Sequence, residues 1–394
     1  MKVLVYSHEF PPFLGGLATT SMKLVKGLSN RVDSLIAIVP SYGLNQEIID
    51  NELNCEIKRV PFLGSRYIRS IPFIQQFIGF FYLFYYLVVN KPDVVLFITE
   101  EAESVGGLVS YFINFRSIVR VAGSGIVTCF HGSGFNKRIL KYPMSNLYKK
   151  SDRIIAVSNY TKSLLLSIGV DDKKIRVIYN GVNNSMLEYP VNKEKVENLK
   201  MKYKIKKEDK VIITIARVLP RKGQDNVIRA LPGVLKIVPN LKYIIVGEGK
   251  YRKKFEKLAA ELNVDSQVIF TGGVENSSIV DYLDLSDLFI MPNRAWNNKV
   301  EGLPNAIIEA SARDKAVIAG NHSGSVEAVV HGKTGLLVDS TDPKKIGEAL
   351  TEILTDDNKL KEYGLNGKEF IINNFKEDMM VENYISQIEE VADK

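Results

Sequence analysis

Val211-Ile212-Ile213-Thr214-Ile215-Ala216-Arg217-Val218-Leu219-Pro220-Arg221-Lys222-Gly223 is a short apolar run, mostly β-branched, that breaks into a basic turn. Val and Ile suit a buried pleated surface, and Pro220 and Gly223 punctuate the end, so the stretch reads as one strand and the loop that follows it. Working outward, runs of the same kind recur at 243–246, 268–270, 288–291, 316–319 and 335–338, each separated by a helix-length segment. Towards the N-terminus a second series occupies 3–6, 34–39, 94–98, 126–130, 154–157 and 177–179. Strands alternating with helices make βα units around a parallel sheet, and two series make two such sheets. Residues 190–209 are Lys-rich and have no strand pattern, which places a join near 190. The expected fold is therefore α/β, with two Rossmann-like domains at 1–189 and 190–375 and a cleft between them. Asp342-Pro343 starts a helix running to about 355, and a last helix from about 376 to 394 returns to the first domain.

A chain of 394 residues is long for one core, which agrees with two domains. Cys55 and Cys129 have no metal-ligand spacing and read as small hydrophobes in a reducing compartment. The apolar start at residues 3–6 is too short for a signal peptide, so a cytoplasmic location is expected. The formal charge is +7, and residues 1–150 hold 16 Lys and Arg against 10 Asp and Glu. A basic first domain attracts nucleic acid, anionic lipid or phosphorylated acceptors alike. No interleaved aromatic and basic stacking motif is present, which argues against nucleic acid. Residues 71–89 are uncharged, rich in Phe and Tyr, and follow Lys58, Arg59, Arg66 and Arg69. That combination suits an anionic membrane surface. A core helix is the other reading, and Gln75, Gln76, Gly79 and the tyrosines weaken a spanning one.

Four motifs carry candidate chemistry. Pro11-Pro12-Phe13-Leu14-Gly15-Gly16 follows the first strand and precedes a helical pattern, where glycines let backbone N–H groups approach an anion at a helix N-terminus. A structural turn needs the same residues. Phe130-His131-Gly132-Ser133-Gly134 follows the run 126–130, and the carboxyl end of a parallel strand is where open sheets bind ligands. Arg217 and Lys222 lie five residues apart across one loop, a spacing that can place both cations on a pyrophosphate and stabilise its departure. The bland alternative is a solvated basic loop. Glu301-Gly302-Leu303-Pro304-Asn305-Ala306-Ile307-Ile308-Glu309 sets one carboxylate in a loop and a second in the first turns of a helix begun by Pro304. A carboxylate there can accept from ribose hydroxyls, and the loop carboxylate can hold sugar hydroxyls.

Taken in order, these motifs resemble the retaining glycosyltransferases of family 4, which have the GT-B fold. Phe10 to Gly16, Phe130-His131-Gly132, Ser151 to Ser158, Asn180-Gly181-Val182, Arg217 with Lys222-Gly223, Gly247-Glu248-Gly249 and Glu301 to Glu309 all follow the family's sequence of motifs over nearly the whole chain. The resemblance implies an enzyme that moves a hexose-type sugar from a UDP- or GDP-sugar to a lipid-linked or saccharide acceptor, in glycolipid or surface polysaccharide synthesis. It implies that Arg217 and Lys222 grip the donor diphosphate, Glu309 the ribose, and Glu301 with the N–H groups near Gly302 and Leu303 the transferred sugar. His131 would bond a sugar hydroxyl beside the reacting centre. Gly15 would border the acceptor and Gly16 the donor phosphate or acceptor, while Gly247, Gly273 and Val274 would border the donor. Catalytic work falls to His131, Glu301, Arg217 and Lys222.

The chain also departs from the family. Members often carry a histidine soon after their Pro-Asp-Val-Val strand, whereas Pro92-Asp93-Val94-Val95 leads here to Leu96-Phe97-Ile98-Thr99-Glu100. Residues 292–300 form a longer loop before Glu301, similar to that of phosphatidylinositol mannosyltransferase-like members. No two aspartates are separated by a single residue, so the D-x-D metal motif is absent and no divalent metal or other cofactor is expected. A peripheral position at the inner face of the cell membrane follows from the basic, aromatic first domain. Rival readings on the same fold are a nucleotide-sugar epimerase and a catalytically silent sugar-nucleotide binder.

Overall fold

Short apolar runs bounded by turn residues form most of the strands, and the described residues hold thirteen strands in all. The computed structural model describes residues 1–13, 15–43, 46–65, 68, 71, 73–130, 132 and 135–394, with the backbone alone at 124 and 135–137. The chain divides into Met1–Asn180 with Glu377–Lys394, and Gly181–Lys376.

In the first unit the strands are β1 (Lys2–Tyr6), β2 (Ser34–Pro40), β3 (Glu56–Val60), β4 (Val94–Phe97), β5 (Ser117–Val121), β6 (Arg153–Ala156) and β7 (Ile175–Val177). They pair in parallel in the order β3-β2-β1-β4-β5-β6-β7. The second unit holds β8 (Lys210–Ile215), β9 (Leu241–Val246), β10 (Val268–Gly272), β11 (Leu288–Met291), β12 (Ala316–Gly320) and β13 (Gly335–Val338), in the order β10-β9-β8-β11-β12-β13. Parallel strands need crossover connections, and helices packed on both faces bury β4, β5, β11 and β12 completely. In each sheet the order reverses beside the first strand, between β1 and β4 and between β8 and β11. Open α/β sheets bind ligands beyond the carboxyl ends of the strands at that point.

The helix Glu377–Ala392 belongs to the first unit. Met380, Val381, Tyr384 and Ile388 share one core with Leu24, Val25 and Leu28 of the helix Gly16–Ser29.

Two expectations need correction. Residues 126–130 are not a strand but part of the helix Ser124–Phe130, in which Ile126 and Cys129 turn one face into the core. The strand of that region is β5, where a run of β-branched residues is interrupted by Arg120. That guanidinium is buried and bonds Asn180 Oδ1 at 2.8 Å. The edge strand β3, Glu56-Ile57-Lys58-Arg59-Val60, is charged and has no apolar run to mark it. Finally, the division falls before Gly181 and not near 190. Val182 pairs with Lys376, and Arg313 bonds the carbonyls of Met186 and Tyr189, which ties this segment to the second unit.

The aromatic stretch forms the helix Ile74–Asn90. Gln76, Gly79, Leu83 and Leu87 make its buried face, while Phe77, Phe81 and Tyr85 are 62%, 56% and 58% exposed. Phe80 and Phe84 pack against the core. Among the described residues no helix is long and apolar enough to cross a membrane.

Candidate active site

Backbone bonds hold the loop after β8 against its neighbours on both sides, the chain beyond β9 and, through Arg294 N–H to Arg221 O at 2.9 Å, the chain beyond β11. Ala216 N–H donates to Val246 O at 2.9 Å and Val218 N–H to Glu248 O at 3.0 Å, so the chain beyond β8 runs beside the chain beyond β9. Gly247, at φ +136°, permits this approach, since a Cβ there would lie 2.3 Å from Ala216 O. Arg217 is thereby presented at the carboxyl end of β8. It is exposed and has no ion pair among the described residues.

The turn Pro220–Lys222 sends its two cations to one place. Arg221 is 8% exposed, and its Nη1 lies 2.7 Å from Val300 O and 3.1 Å from Glu301 Oε1. Lys222 Nζ is 3.0 Å from the same Oε1. Oε2 of Glu301 has no partner among the described residues. Burial alone would raise the Glu301 carboxyl, but Lys222 and Arg221, with Arg217 adding a smaller share, outweigh it and hold the group below the usual carboxylate range. Burial lowers the Lys222 ammonium; Glu301 opposes this, and repulsion from Arg221 and Arg217 adds to it. Three cations against one carboxylate leave this point positive, which is what a diphosphate needs.

The loop carrying Glu301 has its carbonyls turned inward. Arg221 takes Val300 O, Gly324 N–H donates to Glu301 O at 3.3 Å, and Gly324 lies so close to Gly302 O that a Cβ there would be 1.5 Å from it. The N–H groups of Gly302 and Leu303 accordingly make no hydrogen bond among the described residues. With Oε2 they form a set of one acceptor and two donors, suited to sugar hydroxyls. Pro304 caps the helix Asn305–Ala312, which sets the half-buried Glu309 in its second turn. Gly273 and Val274 follow β10, the first exposed and the second half-buried.

Of the predicted residues, the structure thus brings Arg217, Lys222, Gly247, Glu301, Gly302 and Leu303 together. Glu309 lies on the helix that this loop enters. Gly15 and Gly16 belong to the other unit, at the exposed start of the helix Gly16–Ser29 beyond β1. His131 lies outside the described residues. Among the described residues no group of three His, Cys, Asp or Glu could hold a metal ion.

Arg221 went unrecognised in the sequence, where nothing separates it from a solvated turn residue. Its double contact makes it the group that fixes the direction of Glu301. Arg221→Met is expected to lower turnover roughly 10- to 10²-fold, the scale of a small misplacement of reacting groups. The sign of the accompanying pH effect follows from Glu301. Its lowered carboxyl keeps the ion-pair contribution above the ordinary carboxylate pKa and loses it as pH falls through the lowered value. Without Arg221 that loss comes at higher pH, so the acid limb of kcat/KM moves up. An unmoved acid limb in Arg221→Met would contradict this.

The chain is similar to known glycosyltransferases over both units. Residues 14–185 match the family described as Glycosyltransferase Family 4, and residues 195–370 match Glycosyl transferases group 1. A GDP-mannose-dependent α-(1-6)-phosphatidylinositol monomannoside mannosyltransferase of Mycobacterium tuberculosis is 32% identical over 267 residues, 66% of this chain and 69% of that protein. A GDP-mannose-dependent monoacylated α-(1-6)-phosphatidylinositol monomannoside mannosyltransferase of Corynebacterium glutamicum is 29% identical over 93% of this chain and 92% of its own length. Anabaena Alr3699/HepE, solved in complex with UDP and glucose, shares the fold with a TM-score of 0.81 at 18% identity, covering 99% of this chain and 100% of that one. Two Rossmann-like units, the first completed by the C-terminal helix, are the GT-B fold, and the chain belongs to glycosyltransferase family 4.

Proposed function

We propose that this protein transfers a hexose from a nucleotide-diphosphate donor to a lipid-linked or saccharide acceptor, with retention of anomeric configuration and without a divalent metal. The observation that supports it most is the gathering of Arg217, Arg221 and Lys222 around Glu301 where the second sheet reverses its order. Arg217 and Lys222 answer the charge that builds on the departing diphosphate. Glu301 Oε2 and the N–H groups of Gly302 and Leu303 hold the transferred sugar, Glu309 the ribose, and Gly247, Gly273 and Val274 the edge of the donor. The acceptor hydroxyl attacks the anomeric carbon from the face that the diphosphate leaves. The bond from that carbon to the phosphate oxygen breaks, the bond to the acceptor oxygen forms, and the acceptor's proton passes to the diphosphate. No side chain need act as nucleophile. By resemblance, His131 bonds a hydroxyl of the reacting sugar, and Gly15 and Gly16 border acceptor and phosphate.

The test is consumption of UDP-, GDP- and ADP-sugars by the purified protein. GDP-mannose comes first, because the Mycobacterium tuberculosis and Corynebacterium glutamicum relatives are named as dependent on it. One donor is expected to be consumed, EDTA to leave the rate unchanged, and the product to keep the donor's anomeric configuration by NMR. Consumption of no donor, dependence on added metal, or a sugar trapped covalently on Glu301 would each refute part of this reading.

The acceptor is proposed to lie at the inner face of the cell membrane, reached through the exposed aromatic face of the helix Ile74–Asn90 and the chain's positive charge. Phe77→Ser, Phe81→Ser and Tyr85→Ser combined should release the protein from anionic vesicles while leaving its thermal unfolding nearly unchanged. Phe80 and Phe84 are unsuitable, because they pack on the core. Binding that survives the triple change would assign this face to another role.

A further inference from the structure

The loop between β11 and Glu301 is held far more firmly than a connection requires. At its base Asn293 is buried; its Oδ1 accepts from Ser325 Oγ at 2.7 Å and its carbonyl from Ser340 Oγ at 2.8 Å. Arg294 N–H donates to Arg221 O at 2.9 Å, and the Arg294 guanidinium pairs with both oxygens of Asp225, at 3.0 and 2.6 Å. The tip is a hairpin in which Trp296 and Lys299 exchange both backbone hydrogen bonds at 3.0 Å. Asn297 and Asn298 form its two-residue turn at φ +50° and +55°, left-handed values that Asn tolerates and that suit a tight hairpin. The returning strand ends on Val300, which Arg221 holds.

This braced hairpin presents one large apolar group, Trp296, the only tryptophan in the chain and 40% exposed. The Arg294 guanidinium carbon is 5.6 Å from its ring centroid, which limits the orientations open to the indole. Lys299, opposite Trp296, is two residues from Glu301, so their backbones are at most about 7 Å apart. An indole on the hairpin that leads directly into Glu301, and rimmed by Asn297, Asn298 and Lys299, matches a pyranose: an apolar C–H face for the ring and polar neighbours for the hydroxyls.

Resting on the glycosyltransferase reading, we infer that Trp296 is the stacking platform for a pyranose ring of the acceptor, held one sugar away from the ring that Glu301 holds. The acceptor therefore carries a saccharide at the reacting end. Arg294 is a positioning residue for this platform.

The sole tryptophan makes its own emission the readout. Titration of the unmodified protein with methyl α-D-mannopyranoside is expected to change that emission saturably, and phosphatidylglycerol vesicles free of sugar are expected to leave it unshifted. With a transferable acceptor, Trp296→Ala should raise the acceptor KM roughly tenfold, the scale of one lost aromatic stack, and Trp296→Phe should recover part of it. The donor KM and the slow hydrolysis of donor alone should stay at wild-type values. A rise in donor KM would reassign the ring to the donor, and a blue shift with vesicles but none with sugar would reassign it to the lipid surface; either overturns the proposal. If no nucleotide-sugar is consumed at all, the transferase reading fails, while the fluorescence titration still decides whether Trp296 takes a sugar.

Discussion

Arg217→Ala is expected to lower kcat by roughly 10²- to 10³-fold while leaving the melting temperature within about 1 °C of wild type. The two halves of this expectation have separate causes. Arg217 is exposed and unpaired among the described residues, so no carboxylate is stranded when it is removed. Its backbone is held without the side chain: the flanking Ala216 and Val218 bond the chain beyond β9, and Arg217 O accepts from the buried Gln224 Nε2 at 3.1 Å. On the proposed function, the loss then falls on the step in which negative charge gathers on the departing diphosphate. Arg217→Lys keeps the charge without the planar fork and should lie between the two. Turnover of Arg217→Ala near wild type at saturating donor would remove Arg217 from the diphosphate site.

Lys222 makes a less transparent probe, although it is the closer cation. Lys222→Ala would leave Glu301 buried with Arg221 as its one ion-pair partner among the described residues, and any fall in rate would mix lost charge with a reoriented loop. The contrast is useful. If Arg217 acts on the leaving group and Arg221 on the direction of Glu301, Arg217→Ala should leave the acid limb of the pH profile almost in place, whereas Arg221→Met should move it. Arg217 contributes less than Arg221 to holding Glu301 ionised. Because both act around one carboxylate, their effects should not add, and a double variant would measure that coupling.

What could be read from the sequence depended on how purely apolar each strand is. β11 and β13 match the anticipated runs end to end, because nothing charged interrupts them. β5 is hidden because Arg120 stands inside it, and the partners that make a charge tolerable there, Asn180 Oδ1 and Ile98 O with Tyr384 and Glu103 nearby, lie far along the chain. The run 126–130 misled for the opposite reason: Ile126, Val127 and Thr128 have strand-like side chains, yet Ile126 and Cys129 are spaced for one face of a helix. At the site, Lys222 and Glu301 could be named from motif order alone. The burial of Arg221, the inward carbonyls of Val300, Glu301 and Gly302, and the bracing of Trp296 depend on contacts between loops far apart in the chain, which no local pattern encodes. Phe77, Phe81 and Tyr85 could be recognised as aromatic, but their separation from Phe80 and Phe84 needed the packed helix.

Arg313→Met should destabilise the second unit by about 3–5 kcal/mol, the cost of breaking a buried ion pair from one side. Arg313 caps the C-terminal end of the helix that carries Glu309. Its Nε and Nη2 bond the two oxygens of Asp284 at 2.9 and 2.7 Å, and its Nη1 bonds Met186 O at 3.0 Å and Tyr189 O at 2.7 Å. Both partners of the pair are buried, with side chains 6% and 3% exposed, so the substitution leaves Asp284 charged and without its partner, and two carbonyls short of a donor. For a unit of this size the loss corresponds to a fall of roughly 10 °C in its unfolding transition. Amide exchange should quicken first in the helix Asn184–Glu188, which Arg313 ties down, and then in Asn305–Ala312. Arg313→Met with Asp284→Leu should recover part of the stability by removing the stranded charge, although the carbonyls of Met186 and Tyr189 stay unsatisfied. A melting temperature within about 2 °C of wild type for the single variant would show that water reaches Asp284 and that this anchor carries little of the load.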